Sequence, residues 1–168
     1  MINVIPPSFQ LRRLPAELRD LIESYQRTAP VDLRGIATAL GLQVKAATLS
    51  PGISGEIRPD GQGGYVVRVN RHDSRGRQRF TVAHEIAHFL LHRDLIGSGI
   101  SDDALYRSGL SDTVEAEANR LASDIVMPSE LVSNAVRVAQ GIGVTDICSQ
   151  LAETFEVSAA AMNIKLGG

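Results

Sequence analysis

The segment that decides the fold runs from residue 75 to residue 92 and reads RGRQRFTVAHEIAHFLLH. Its apolar residues occupy nearly every side of a helix, and a helix that is apolar all round is buried by neighbours on several faces. The same segment carries three histidines and a glutamate, residue types that a simple core helix rarely contains. The sequence therefore predicts a long buried helix that holds a polar site.

The polar residues of this helix follow the pattern His-Glu-x-x-His. Successive helical residues turn by about 100°, so His84 and His88 lie one turn apart on the same face. Two imidazoles placed in this way can hold one zinc ion, although Mn²⁺ or another divalent metal would also fit, and Glu85 beside them can take a proton from water. The alternative is that these are core residues satisfied by neighbours, but burying them without partners would be costly. The pattern favours a zinc-dependent peptidase.

A catalytic zinc site needs a third protein ligand, and the candidates are His92, Glu115 and Glu117. His92 lies about 80° around the helix from His84, so we expect it to support the site rather than bind the metal. Glu115 shares a small, apolar helix face with Asn119 and is the better ligand, whereas Glu117 points about 200° away and is expected to be solvated. Asn119 is placed to hydrogen-bond a metal ligand.

Peptide hydrolysis at such a site also requires a donor that stabilises the oxyanion. We expect Glu85 to act as the general base and later to protonate the leaving amine. The candidate oxyanion donors are Tyr106, His72 and His92, and the sequence does not choose among them.

A strand just before the motif helix is predicted to bind an extended substrate by pairing with it. It consists of Tyr65, Val66, Val67, Arg68 and Val69.

The remaining pattern predicts an α+β fold, in which a small three-stranded antiparallel sheet packs on a mainly helical, zincin-like metallopeptidase domain. The strands are expected at 43–46, 53–57 and 65–69. Helices are expected at 14–27, 32–40, 75–92, 112–126, 129–140, 145–155 and 158–166, and a loop at 97–110. Residues 1–168 are predicted to form one domain, with N-terminal helices in 1–41, the sheet in 42–70, metal-binding helices in 74–128 and C-terminal helices in 129–168.

The composition limits the possible partners. The 168 residues are 43% hydrophobic and carry a formal net charge of −2, which suits one domain with a real core and no global basic field. Lys165 is the only basic residue of the last two predicted helices, so we expect no direct nucleic-acid binding. The single Cys148 excludes an internal disulfide. No signal peptide or membrane span is expected, which predicts a cytoplasmic protein.

Several segments together resemble the ImmA/IrrE family of metallopeptidases. They are residues 79–92 (RFTVAHEIAHFLLH), 115–122 (EAEANRLA) and 126–128 (VMP), flanked by 30–33 (PVDL), 40–42 (LGL) and 155–158 (FEVS). The resemblance covers about residues 28 to 166. It implies a gluzincin-like site of two histidines and one glutamate, which agrees with His84, His88 and Glu115.

The resemblance also implies a biological role. Characterised family members are bacterial and phage proteins that cleave a helix-turn-helix transcriptional repressor, and thereby control stress responses or mobile elements. Others belong to toxin–antitoxin-like pairs. The expected function is therefore cleavage of such a repressor, with any regulatory input supplied by a partner. The alternative is a partner-binding toxin or antitoxin component whose metal site is structural or vestigial.

Overall fold

The computed structural model describes residues 1–168, which form nine helices and four strands. The helices are α1 (Phe9–Arg13), α2 (Ala16–Ser24), α3 (Leu33–Ala39), α4 (Arg75–Leu91), α5 (Arg93–Ile96), α6 (Asp112–Val126), α7 (Ser129–Gly141), α8 (Ile147–Phe155) and α9 (Ala159–Lys165). The strands are β1 (Leu42–Ala47), β2 (Ile53–Pro59), β3 (Tyr65–Asn70) and β4 (Ile100–Asp103).

The two helices that build the site begin at serine caps. The Ser74 side chain accepts a hydrogen bond from the backbone N–H of Arg77 at the start of α4. Ser111 does the same for Val114 at the start of α6. Each cap satisfies a donor that the first helical turn leaves free, and this fixes where the helix begins.

The sheet differs from the predicted three antiparallel strands. Its order is β1-β3-β2-β4, with β1 and β3 parallel and β2 antiparallel to both of its neighbours. The α+β class is confirmed, but the sheet is mixed and has a fourth strand. The sequence of that strand is Ile-Ser-Asp-Asp. Because aspartate is depleted in strands, this sequence predicts a loop rather than a strand.

The topology also contradicts the predicted substrate strand. Residues Tyr65, Val66, Val67, Arg68 and Val69 lie in β3, which is paired with β1 on one side and β2 on the other. Its main-chain groups are therefore paired with β1 and β2, and β3 has no free edge to which a substrate strand could add. The edges of the sheet are β1 and β4.

Helix α4 lies between the sheet and α6 and packs against β2, β3 and α6. Every residue from Thr81 to Phe89 is buried, as the all-round apolar pattern predicts. The sheet approaches the helix closely at Gly55 of β2, where a Cβ atom would lie 2.3 Å from Thr81 Cγ2. Glycine at this position therefore lets β2 pack directly on the motif helix.

No helix of the fold combines the length and the apolar character that crossing a membrane requires.

Candidate metal centre

The motif helix places its three polar side chains entirely inside the protein. His84, Glu85 and His88 of α4 are each 0% exposed. The two imidazole rings are packed edge to face, with centroids 4.6 Å apart. Their Nε2 atoms have no hydrogen-bond partner that meets normal geometry. Two buried ring nitrogens are thus free for a common ligand.

Helix α6 brings Glu115 to these nitrogens. One carboxylate oxygen of Glu115 lies 3.2 Å from Nε2 of His84, and the other lies 3.0 Å from Nε2 of His88. The side chain is nearly buried, and Ser108 donates a hydrogen bond to its Oε1. The three side chains predicted as metal ligands therefore lie together.

A fourth acidic side chain reaches the same point. Asp102 of β4 is 0% exposed, and its Oδ1 lies 3.5 Å from Nε2 of His84 and 4.0 Å from Nε2 of His88. Sequence reasoning missed Asp102, because the segment around it was interpreted as a polar loop. The available signal was the period of two that puts Asp102 on the same face as the apolar Ile100.

The donor set fits a zinc ion. The four side chains His84, His88, Asp102 and Glu115 each offer one atom, and these atoms lie within 4.8 Å of one another. Tetrahedral zinc with bonds of about 2.0 Å separates neighbouring ligands by roughly 3.3 Å. The observed separations of 3.0, 3.2 and 3.5 Å are close to that value. Imidazole and carboxylate are also zinc's usual ligands alongside thiolate.

Each histidine of the motif is oriented through its other ring nitrogen. Nδ1 of His84 lies 2.9 Å from Oδ1 of Asn119, so it donates to that amide oxygen and leaves Nε2 without a proton when the ring is neutral. Nδ1 of His88 lies 3.0 Å from Nδ1 of His92. Asn119 and His92 therefore lie where the sequence predicts them, as supports of the two histidines.

Glu117 differs from its expected place in solvent. Its Oε1 lies 3.2 Å from Nε2 of His92, and its side chain is only 34% exposed. His92 therefore donates to Glu117 through Nε2 and accepts from His88 through Nδ1. Its position about 200° around α6 from Glu115 keeps Glu117 out of the cluster, but the expectation of a solvated side chain overlooked His92 at the C-terminal end of α4.

In the absence of a metal, the cluster holds protons. Burial by itself would lower the pKa of His84, but its contacts with Asp102 and Glu115 raise that pKa to about 9. Burial would raise the pKa of Glu115, but the two imidazoles lower it well below the usual range. Burial lowers the pKa of His92, against the opposing effect of Glu117, which agrees with a neutral ring. Bound zinc would take the place of the His84 proton.

Glu85 has the electrostatics expected of a group that holds a proton. Neither carboxylate oxygen has a hydrogen-bond partner of normal geometry. Burial, followed by the neighbouring Asp102 and Glu115 carboxylates, raises the pKa of Glu85 well above its ordinary value. A carboxylate whose pKa is raised is a stronger proton acceptor than an ordinary glutamate.

The three candidate oxyanion donors lie in different surroundings. The Tyr106 ring packs against His84 with centroids 5.2 Å apart, and its hydroxyl lies 3.3 Å from the carbonyl oxygen of Arg77. Both ring nitrogens of His92 are engaged by His88 and Glu117. His72 is exposed and is not part of the cluster. Of the three, Tyr106 is the one that lies beside the cluster without a ring nitrogen or hydroxyl bonded to a cluster histidine.

A cavity of about 940 Å³ lies beside the cluster. Tyr106 and Asn119, which both contact His84, form part of its wall. Apolar residues of the loop after β4 and of the C-terminal helix line it further, among them Leu105 and Ile164. The cavity is large enough for several side chains of a peptide.

The fold thus places a helix with His-Glu-x-x-His under a mixed sheet, with a glutamate of α6 beside its two histidines. The chain belongs to the family described as the IrrE N-terminal-like domain (Peptidase_M78), whose model matches residues 37–167. It is 31% identical over 144 residues to the Radiation response metalloprotease IrrE of Deinococcus deserti, covering 80% of this chain and 47% of that protein.

A solved structure shows the same fold. It is described as a Mycobacterium tuberculosis transcriptional regulator and is 20% identical, with a TM-score of 0.59. The match covers 93% of this chain and 46% of that chain. The present chain thus spans about half the length of both of these proteins.

Proposed function

We propose that this domain is a zinc-dependent endopeptidase that cleaves a regulatory protein. The observation that carries the proposal is the convergence of the unpartnered Nε2 atoms of His84 and His88 with the Glu115 carboxylate, beside the buried Glu85. Two histidines, one glutamate and an adjacent general base form a set that zinc peptidases use to hydrolyse peptide bonds.

Each residue of the centre has a role in this proposal. His84, His88 and Glu115 hold the metal, and Asn119 and His92 orient the two imidazoles. When bound, zinc would polarise a water molecule and the scissile carbonyl. Glu85 accepts the proton of the attacking water and returns it to the leaving amine nitrogen.

Tyr106 is the proposed oxyanion donor. Its ring already contacts His84, and it lines the cavity. Its backbone φ is +56°, a value uncommon for a residue other than glycine, and strained backbone is often found at functional sites. A change of rotamer that releases the hydroxyl from Arg77 would turn it towards a substrate carbonyl.

The substrate is proposed to bind along β4 rather than β3. An extended peptide can add to a sheet only at an edge strand, where main-chain groups are free. Strand β4 is such an edge, and Asp102 places it directly at the cluster. A peptide on this edge would pass the metal and reach the cavity.

A helix-turn-helix repressor remains the proposed target, with cytoplasmic action. The support is the family resemblance and the relative named as a radiation response metalloprotease. A stress-response or toxin–antitoxin setting is consistent with that resemblance.

The test is co-expression with the helix-turn-helix regulator encoded nearest to the gene. The wild type with zinc should shorten the regulator, whereas Glu85→Gln, which keeps the size of the side chain but cannot accept the proton, should leave it intact. The matched control is Glu153→Gln, because Glu153 is exposed on α8 and outside the site. A regulator that stays intact with the wild type under stress and added zinc would contradict the proposal.

The second candidate function is a partner-binding module with a structural metal, and Asp102 favours it. Structural zinc sites fill all four positions with protein ligands, as the present cluster could do. Against this, a structural site has no use for Glu85, whose buried and unpartnered carboxyl is costly. Zinc bound at one ion per chain, with the regulator bound but uncut, would support this second candidate.

A further inference from the structure

We propose that Asp102 is a fourth, removable ligand that closes the metal centre until strand β4 is displaced. This inference rests on the metal site of the proposed function and concerns its regulation. In a catalytic zinc site three protein ligands leave one position for water, whereas four leave none. With Asp102 bound, the domain is latent.

Distances support Asp102 as a ligand. Its Oδ1 lies as close to Nε2 of His84, at 3.5 Å, as two ligands of one tetrahedral zinc ion would lie, roughly 3.3 Å. His88 is somewhat farther, at 4.0 Å. The Asp102 oxygen therefore lies at the position that a fourth ligand would take.

The state of the Asp102 carboxylate supports the same role. It is 0% exposed, and neither oxygen has a hydrogen-bond partner of normal geometry. A buried carboxylate without a partner is strongly disfavoured unless it is paired or binds a metal. No lysine or arginine forms an ion pair with it; His84 and His88 are the basic groups within 4 Å. Without a metal, the protonated His84 ring at 3.5 Å is the nearest compensating charge. A divalent cation shared with the two histidines would take over that role.

The strand that carries Asp102 is built to detach. Strand β4 has four residues, pairs only with β2, and forms the edge of the sheet. The pairing shifts register opposite it, between Ile53 and Gly55, so the ladder is irregular at Asp102. A short, irregular edge strand opens at lower cost than the rest of a sheet.

Closure also explains why the general base is inaccessible. Glu85 is 0% exposed, so in this arrangement no peptide bond can reach it. The loop after β4 carries Leu105, which is 67% exposed on the cavity wall. A protein substrate that contacts this loop and adds to β4 would move Asp102 away and uncover Glu85 in the same step.

Cobalt substitution tests the coordination directly. The zinc of the whole chain is replaced by Co²⁺, and acetohydroxamate, a small chelating ligand for open metal positions, is added while the visible spectrum is recorded. The wild-type spectrum should not change, because Asp102 fills the position. A wild-type spectrum that shifts at low acetohydroxamate concentration would overturn the proposal, and this arm needs no variant.

The variant arm uses Asp102→Asn, which keeps the shape of the side chain but is a poor ligand. Its Co²⁺ spectrum should differ before any addition and shift further with acetohydroxamate, and its zinc affinity should fall by about tenfold or more. Asp94→Asn makes the same change at an exposed position of α5 and should behave as the wild type. Equal spectra and equal zinc affinities for Asp102→Asn and the wild type would overturn the proposal.

The rate of regulator cleavage then tests the closure by Asp102 separately from the proposed peptidase function. Asp102→Asn should cleave the regulator faster than the wild type in the co-expression assay. If the spectra behave as expected but neither protein cleaves, Asp102 is a ligand and the peptidase proposal fails. If the wild type cleaves while its Co²⁺ centre binds acetohydroxamate freely, the peptidase proposal stands and the closure by Asp102 fails.

Discussion

His88 and His92 meet through their Nδ1 atoms at 3.0 Å, one helical turn apart at the end of α4. One nitrogen must donate and the other must accept, so the pair fixes both tautomers. His88 keeps its Nε2 lone pair directed into the cluster, and His92 directs its own Nε2–H to Glu117. A partly exposed carboxylate thus orients the buried His88 ring through a second imidazole.

This chain of contacts predicts that Glu117 affects metal binding without touching the metal. Glu117→Ala should weaken zinc binding by about 10–100-fold, as loss of such outer partners commonly does. Competition with a chromophoric chelator measures the change.

The matched variant is Glu117→Gln, whose amide oxygen can still accept the hydrogen bond of His92. It should lose much less affinity than Glu117→Ala. Equal zinc affinity in Glu117→Ala and the wild type would show that the contact does not orient His88.

Zinc binding should be coupled to proton release. The pKa of His84 in the metal-free protein is raised to about 9, so below that pH the metal must displace a proton. Affinity should therefore increase by about tenfold per pH unit between roughly pH 6.5 and 9 and level off above. Calorimetry in two buffers of different ionisation enthalpy counts the protons, and His72→Ala, outside the cluster, should not change the count.

The same pKa shifts determine how the stability of the metal-free protein depends on pH. His84 has a folded pKa above its unfolded value of 6.5, so its contribution is complete below pH 6.5 and is lost as pH rises through about 9. Glu85, whose pKa is also raised, acts in the same direction, because its burial favours the protonated form. The midpoint of thermal unfolding of the metal-free protein should fall between pH 6.5 and 9, and a rising midpoint would contradict the assignment.

Tyr106→Phe should separate turnover from metal binding. Removing the hydroxyl removes the proposed oxyanion donor but keeps the ring packed on His84 and Phe80. We expect kcat to fall by about 10²–10³-fold with little change in zinc affinity. Unchanged kcat would exclude Tyr106 from this role.

A buried ion pair away from the proposed metal ligands predicts a stability effect. Lys165 of α9 lies 3.6 Å from Asp124 of α6, and both side chains are almost completely buried. Asp124→Ala should cost about 3–5 kcal/mol in urea unfolding, since it leaves a buried ammonium without its carboxylate. The double variant Asp124→Leu with Lys165→Met should recover most of that loss, and a double variant as unstable as Asp124→Ala would contradict this reading.

The sequence predicted the parts of the site that one helix encodes. A turn of about 100° per residue is enough to place His84 beside His88 and to prefer Glu115 over Glu117 on the next helix. Both preferences agree with the geometry, because helix periodicity is local and the two helices pack side by side. The metal roles of these residues remain proposals.

The sequence could not predict what depends on strand order. Pairing partners are set by long-range contacts, so nothing local showed that β3 would lie between β1 and β2. The substrate strand was therefore placed at the wrong position. Asp102 was missed for a related reason: its strand is recognisable only by its partner β2, and its burial depends on the cluster that it completes.

The proposed metal centre holds one zinc ion at the Nε2 atoms of His84 and His88 and at the Glu115 carboxylate, next to Glu85. Crystals of the zinc-loaded protein, measured with anomalous diffraction on both sides of the zinc absorption edge, test it most directly. We expect one strong peak per chain within about 2.0–2.2 Å of the ligand atoms of these three side chains. A zinc-loaded crystal with no peak there, or with its peak bound by other residues, would contradict it.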